Sequence, residues 1–205
     1  MKKGLLLVLS GFAGSGKGTI MKSIVEKYDR YALSVSATTR NPRPGEEHGR
    51  EYFFMDKGEF EELIKNDKLF EYAQYVDNYY GTPKEYVEEQ RNAGKDVFLE
   101  IEIQGALQIK EAVPDAVLIF VMPPSVAELK KRLVGRGTET ADVIERRMKR
   151  AGEEAKGVDK YDYLLINDDI DACVEELHGI VLSEHRKVSR NMPTIDKMLD
   201  DFSKM

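Results

Sequence analysis

Glycines and a lysine near the start of the chain have the types and spacing needed to bind phosphate. The stretch "GFAGSGKGT" begins at Gly11 and contains the G-x-x-x-x-G-K pattern, which ends at Lys17. Glycines let backbone N–H groups turn toward phosphate oxygens, the helix that follows presents its positive end, and the lysine reaches the outer phosphates. The pattern therefore predicts a nucleotide-binding loop. Its members are Gly11, Phe12, Ala13, Gly14, Ser15, Gly16, Lys17, Gly18 and Thr19.

The residue after the loop lysine departs from the general pattern. Gly18 stands where a Ser or Thr hydroxyl usually meets Mg²⁺, and Thr19 lies one place later. The sequence therefore leaves open how a metal ion is held at this loop. A dinucleotide-binding loop is excluded, because its third glycine would fall on Thr19.

The same segment could instead be read as a secretory signal, because Lys2 and Lys3 precede its apolar residues. The uninterrupted apolar run Leu5–Leu9 is too short for this, since a signal core needs roughly 7–15 residues. No stretch of the chain approaches the roughly 18 apolar residues of a membrane span. The single Cys173 fits a reducing compartment. We therefore expect a cytoplasmic protein that does not enter a membrane.

Short apolar runs that alternate with helical patterns must position this loop. The runs that predict strands buried on both faces are Leu5–Leu9, Leu33–Ser36, Val97–Ile103, Ala116–Met122 and Tyr163–Ile166. Helices are predicted directly after the glycine loop, after Ser125, and over a long final segment that includes Val174 and Val181. Strands alternating with helices predict an α/β fold with a five-stranded parallel sheet flanked by helices.

Two polar stretches interrupt this alternation. We interpret residues 37–83 as a small inserted subdomain of mixed α and β structure, and residues 135–160 as a charged helical lid. Residues 1–36, 84–134 and 161–205 then form the core domain that carries the loop. A chain of 205 residues is long enough for one large domain with such insertions.

A second set of basic residues could bind another anion. Arg40 and Arg43 lie in the segment "TTRNPRPG", where Pro42 and Pro44 stiffen the backbone, and arginine forks match phosphate oxygens. Further arginines and lysines cluster between Lys130 and Arg150, either as a site for a small polyanion or as a solvated helix face. The net charge of −6 argues against a broad nucleic-acid surface.

Several motifs occur together and in a fixed order. They are "GSGKGT", "SVSATTRNPRPGE", "NYYGTP", "FLEIEIQG", "GRGTET" and "INDD". In these motifs the chain resembles the guanylate kinase family from about residue 4 to residue 190. The resemblance implies the nucleoside monophosphate kinase fold and the transfer of the γ-phosphoryl group of ATP to GMP with Mg²⁺. ATP and GMP are then the partners, nucleic acid and membrane are not, and the oligomeric state stays open.

The resemblance also implies roles for individual residues. Those expected to promote the transfer are Lys17, Arg43, Arg136 and Arg147. Those expected to bind GMP are Ser36, Arg40, Arg43, Tyr52, Glu71, Tyr80, Thr82, Glu100 and Glu102. Asn167 and Asp168 match the residues near the adenine of ATP. Thr19, Glu100 and Glu102 are candidates for contact with Mg²⁺, although the family usually has Asp in place of Glu102.

The chemistry of guanine agrees with the roles given to Glu71 and Thr82. Guanine presents N1–H and N2–H donors beside the O6 acceptor, so one carboxylate can accept from both donors and a hydroxyl can donate to O6. A kinase for another nucleoside monophosphate would share the loop but not Glu71 or "NYYGTP". A protein-binding module of similar fold would characteristically lack Lys17, which this chain retains.

Overall fold

The computed structural model describes residues 2–75, 77–135 and 140–205. Its strands are β1 (Leu6–Gly11), β2 (Tyr31–Leu33), β3 (Ser36–Thr38), β4 (Tyr52–Phe54), β5 (Leu69–Tyr75), β6 (Asn78–Pro83), β7 (Asp96–Glu100), β8 (Val117–Met122) and β9 (Tyr163–Ile166). Its α-helices are α1 (Lys17–Lys27), α2 (Lys57–Lys65), α3 (Lys84–Asn92), α4 (Ile103–Ala112), α5 (Val126–Gly135), α6 (Ala141–Glu154), α7 (Ile170–Arg186) and α8 (Met192–Ser203).

The larger sheet is parallel and carries β1 at its centre. The strand order is β2-β7-β1-β8-β9, with Leu7 of β1 in register with Phe98 of β7 and with Val117 of β8. Side chains along β1 alternate between two cores. Leu7 and Leu9 pack with α1 and α7, whereas Leu6 and Val8 pack with α3 and α4. Because both faces are covered, the strand reads as a continuous apolar run.

A second, smaller sheet is formed by residues of the predicted insertion. Its order is β4-β3-β6-β5, in which β3 is parallel to β4 and antiparallel to β6. Its core consists of Ala37, Phe60 and Leu69, all buried. Helix α2 supplies Phe60 and begins with a capping box, in which Asp56 accepts from the Glu59 backbone N–H and Glu59 from that of Asp56. This sheet lies beside the core through contacts between β5 and α4.

The five-stranded parallel sheet and the α/β class are confirmed, but three predicted elements differ in extent. The run Leu33–Ser36 is divided between two sheets, because pairing with β7 ends after Leu33 and Ser36 pairs instead with Tyr52. The run Val97–Ile103 stops being a strand at Glu100. The long helix α7 is not the final one, since α8 follows it. Within the described ranges, no helix is long and apolar enough to cross a membrane.

Candidate active site

The predicted phosphate-binding loop connects β1 to α1 at the carboxyl end of the larger sheet. Gly14 and Gly16 adopt φ values of +90° and +93°, which side chains other than glycine rarely tolerate. The Lys17 ammonium folds back over the loop and donates to the backbone oxygens of Gly11 at 2.8 Å and Phe12 at 3.3 Å. The glycine conformations therefore form the turn of the loop, and Lys17 is hydrogen-bonded to the backbone of the same loop.

Asn167, which the resemblance places near the adenine of ATP, holds this loop from behind. Its side-chain amide donates to the Ser15 backbone oxygen at 2.8 Å, and it is buried. A Cβ atom at Gly16 would lie 2.2 Å from the Asn167 amide nitrogen, so only glycine fits there. The Ser15 hydroxyl is buried and has no hydrogen-bond partner within the described residues. Asp168 follows Asn167 and is exposed.

Glu71 and Thr82 meet across the β5–β6 hairpin, as the sequence predicts for a guanine-binding pair. The Thr82 hydroxyl is buried and donates to Glu71 Oε1 at 2.8 Å. Burial raises the pKa of the Glu71 carboxyl above its ordinary value, and the Thr82 hydrogen bond opposes that rise. Among the residues that the structure describes, no cationic side chain contributes to the shift, so the Glu71 carboxylate is suited to accept hydrogen bonds from a neutral donor.

Gly105 forms the wall behind Glu71, and the sequence did not identify it. A Cβ atom at this position of α4 would lie 3.0 Å from Glu71 Oε2 and 3.3 Å from Glu71 Cγ. The sequence offered one signal, a glycine within a helix. Such a glycine destabilises the helix by roughly 1 kcal/mol relative to alanine, so its presence indicates that a side chain would not fit there. The space left by its missing side chain is occupied by the carboxylate of Glu71.

The residues expected to bind the GMP phosphate are brought together in the smaller sheet. Ser36 of β3 is in register with Tyr52 of β4, and the rings of Tyr52 and Tyr80 lie 6.1 Å apart. The Arg40 guanidinium lies over the rings of Tyr52, at 5.4 Å, and Phe54, at 5.7 Å. The hydrogen bond to the Glu46 carboxylate is the largest cause that raises the pKa of Arg40, and the nearby Tyr80 hydroxyl is a smaller one. The side chain of Arg43 is exposed in the turn that follows.

Glu100 and Glu102 do not share one strand face, although both lie in the run Val97–Ile103 that the sequence predicts as a strand. Glu100 is the last residue of β7, and its Oε2 lies 3.9 Å from where a Cβ atom at Gly18 would be. Glu102 lies beyond the strand, at the position that precedes α4, and accepts from Arg150 of α6 at 2.7 Å. Only Glu100 is therefore seen to face the phosphate-binding loop, while Glu102 joins the core to α6.

Helix α6 carries one of the two predicted lid arginines. Arg147 lies on this helix and is partly exposed. The other, Arg136, lies outside the described residues. Helices α5 and α6 pack through Leu129, Leu133 and Ala151, and Phe12 of the phosphate-binding loop packs against the same cluster. Phe12 of the loop thus belongs to the same apolar cluster as residues of α5 and α6.

A glycine-rich loop with its lysine on a parallel sheet, beside a small second sheet that contains the paired Glu71 and Thr82, is the arrangement of a nucleoside monophosphate kinase. A sequence model of the guanylate kinase family matches residues 3–184, which is most of the chain. The chain belongs to the guanylate kinase family. It is a phosphotransferase, and its reaction is the ATP-dependent phosphorylation of GMP.

Individual relatives are similar over almost the whole chain. The guanylate kinase of Lactococcus lactis is 49% identical over 200 residues, which cover 98% of this chain and 98% of the relative. That of Clostridioides difficile is 55% identical over 190 residues, which cover 93% of each. The crystal structure of guanylate kinase from Anaplasma phagocytophilum superposes with a TM-score of 0.72 at 34% identity, covering 92% of this chain and 90% of that chain.

Proposed function

We propose that this chain transfers the γ-phosphoryl group of ATP to GMP by holding the two nucleotides on different parts of the molecule. The loop from Gly11 to Thr19 binds the phosphates of ATP, and the smaller sheet binds GMP. The observation that carries this assignment is the half-buried Glu71 carboxylate, held by the buried Thr82 hydroxyl at 2.8 Å. A carboxylate in this setting accepts from guanine, whereas adenine would present a lone pair to it.

Thr82 has two roles that cannot be filled at the same moment. Its hydroxyl has a single proton, which in this structure is donated to Glu71. When the N1–H and N2–H groups of guanine donate to Glu71, the Thr82 proton becomes free to turn toward O6. Sites of this kind reject the wrong base by roughly 10⁴-fold or more, because the wrong base leaves buried polar groups unpaired.

The phosphoryl group is transferred between aligned oxygens while positive charge surrounds it. Lys17, Arg43, Arg136 and Arg147 supply that charge. Arg147 would act from α6, whose apolar residues share a cluster with Phe12 of the loop, and this supports its assignment. A lid that closes in this way also excludes water, which would otherwise hydrolyse ATP.

The residues beside the loop fit a Mg²⁺ ion that is bound mainly by phosphates and water. Mg²⁺ prefers oxygen ligands and usually takes only one or two carboxylates from the protein. Glu100 offers such a carboxylate close to Gly18, whereas the described residues contain no cluster of three or more acidic, His or Cys side chains. When bound, the ion would neutralise phosphate charge. Glu100 is our proposed contact, direct or through water.

The division of the chain and its location are also proposals. Residues 37–83 and 135–160 are interpreted as the GMP-binding subdomain and the lid, with the rest as the core. The smaller sheet, which runs from Ser36 to Pro83, supports this division. A cytoplasmic location, without nucleic-acid partners, fits the net charge of −6 and the single cysteine.

The test is a coupled assay of ADP release with ATP and Mg²⁺ in which GMP, AMP, CMP and UMP are compared as acceptors. We expect turnover with GMP alone, and its loss in Lys17→Ala. Thermal unfolding of Lys17→Ala shows whether the variant is folded. Equal turnover with AMP and GMP would contradict the assignment of Glu71 and Thr82 to the base.

A further inference from the structure

The segment that follows Arg40 closes into a tight turn that returns to it. The Glu46 backbone N–H donates to the Arg43 oxygen at 3.0 Å, and Gly45 has a φ of +88°. Proline at the second position and glycine at the third, which Pro44 and Gly45 supply here, are typical of a type II turn. The sequence "RPGE" therefore brings the Glu46 side chain back over the two arginines.

Both oxygens of the Glu46 carboxylate accept hydrogen bonds in this position. It accepts from Arg40 Nη2 at 3.0 Å through Oε1 and from the Arg43 backbone N–H at 2.7 Å through Oε2. Arg40 Nη1 lies 3.0 Å from Oε2, so the guanidinium and the carboxylate meet as two parallel forks. The Arg40 and Glu46 side chains are only 16% and 18% exposed. The Arg40 guanidinium holds the pKa of Glu46 below its usual range, so this pair is ionised at neutral pH.

We propose that Glu46 is a positioning residue in the binding of GMP. It does not contact the phosphate of GMP itself. Instead it holds the Arg40 guanidinium and the Arg43 backbone in the conformation that receives the phosphate. This inference rests on the proposed function. An arginine that is already held loses less freedom when its ligand binds, which increases affinity. The rings of Tyr52 and Phe54 complete the enclosure of Arg40.

A different role for the same carboxylate would be to occupy the place of the phosphate until GMP displaces it. The bond to the Arg43 backbone favours positioning, because it shapes the turn as well as neutralising a guanidinium. The two roles predict opposite effects on GMP affinity. Removal of a positioning acid weakens GMP binding, whereas removal of a competing acid strengthens it.

The variant Glu46→Gln keeps the side-chain shape and removes the charge. The matched control is Glu47→Gln, since Glu47 is the next residue and its carboxylate pairs instead with Arg50 at 3.0 Å. We would measure kcat, the KM for GMP, and competitive inhibition by guanosine, which has the base and sugar but no phosphate. We expect Glu46→Gln to raise the KM for GMP about tenfold, because it loses charge-assisted hydrogen bonds. Guanosine inhibition and Glu47→Gln should stay within about twofold of wild type.

Glu46→Asp provides a second test in case the glutamine variant does not fold. This variant keeps the negative charge of wild type but has a side chain shorter by one methylene. Its KM for GMP should therefore lie between those of wild type and Glu46→Gln. An unchanged or lowered KM for GMP in a folded variant would overturn the proposal, and so would equal weakening of GMP and guanosine. Failure of the proposed function is distinguishable, because wild type and Glu47→Gln would then not turn over GMP at all.

Discussion

Replacing Glu71 by glutamine separates recognition of the base from stability of the fold. Glutamine keeps the length and shape of the side chain. Its carbonyl oxygen can still accept from the Thr82 hydroxyl, which lies 2.8 Å from Glu71 Oε1 in the unmodified chain. Its amide NH₂ group, however, replaces one of the two acceptor oxygens. One donor of guanine then faces another donor.

The size of the effect follows from the hydrogen bonds that change. A hydrogen bond to a charged group contributes about 1.5–3 kcal/mol, and a donor left unpaired in a buried site costs about 1–3 kcal/mol. Loss of one such bond, with one guanine donor left unpaired, amounts to about 2.5–6 kcal/mol. Since about 1.4 kcal/mol corresponds to a factor of ten, kcat/KM for GMP should fall by about 10²–10⁴-fold.

The free energy of unfolding of Glu71→Gln should rise, whereas its activity with GMP falls. Because burial raises the pKa of Glu71, the ionised carboxylate is less favourable in the folded chain than in the unfolded one. The free energy of unfolding of Glu71→Gln should therefore exceed that of wild type at pH 7. This part of the difference should disappear below about pH 4, where an ordinary glutamate is protonated in the unfolded chain as well.

The measurements are GMP kinetics and urea unfolding at pH 7 and pH 4, with Glu61→Gln as the control. Glu61 lies on α2 of the same subdomain, is exposed, and is 3.8 Å from Lys57. A Glu71→Gln variant that phosphorylates GMP as well as wild type would refute the assignment of Glu71 to guanine. One that unfolds more easily at pH 7 would refute the account of its raised pKa.

Three further predictions concern the pocket, the loop and the lid. Gly105→Ala should raise the KM for GMP, because the new Cβ lies 3.0 Å from Glu71 Oε2 and the carboxylate must move. Its free energy of unfolding should change by less than about 1 kcal/mol, since the gain in helix propensity opposes this crowding. GMP kinetics and circular dichroism melts test both. Asn167→Ala should raise the KM for ATP by about 5–30-fold and change that for GMP less, since the Ser15 oxygen loses its donor at 2.8 Å. Arg147→Ala should lower kcat more than it weakens GMP binding, and an unchanged kcat would exclude its role.

The sequence predicted those parts of the fold and site that depend on local pattern. The loop from Gly11 to Lys17 was recognisable because backbone conformation and phosphate chemistry both demand those residue types in that order. The extent of β7 was not, because Glu102 has the alternation of a strand residue but lies where α4 begins. Periodicity alone does not show where pairing stops.

The two residues that the sequence did not identify, Gly105 and Glu46, act through side-chain contacts that residue type alone does not show. Gly105 matters because a side chain from β5 fills its empty space, and that packing is visible only in three dimensions. The turn from Arg43 to Glu46 is recognisable in "RPGE". Glu46 was nevertheless overlooked, because an acid in a charged loop usually faces solvent and the turn pattern does not show that its carboxylate pairs with Arg40. The charge of a segment does not show which way a given side chain points.

Phe12 belongs to two parts of the molecule at once. By sequence it is a residue of the phosphate-binding loop, and by packing it lies with α5, α6 and the ring of Phe120, at 5.1 Å. A displacement of α6 therefore changes the side chains that pack around Phe12. A change in the loop likewise changes the packing of α6. Thermodynamic linkage makes this influence mutual. To whatever extent bound ATP favours one position of α6, that position must tighten ATP binding by the same factor.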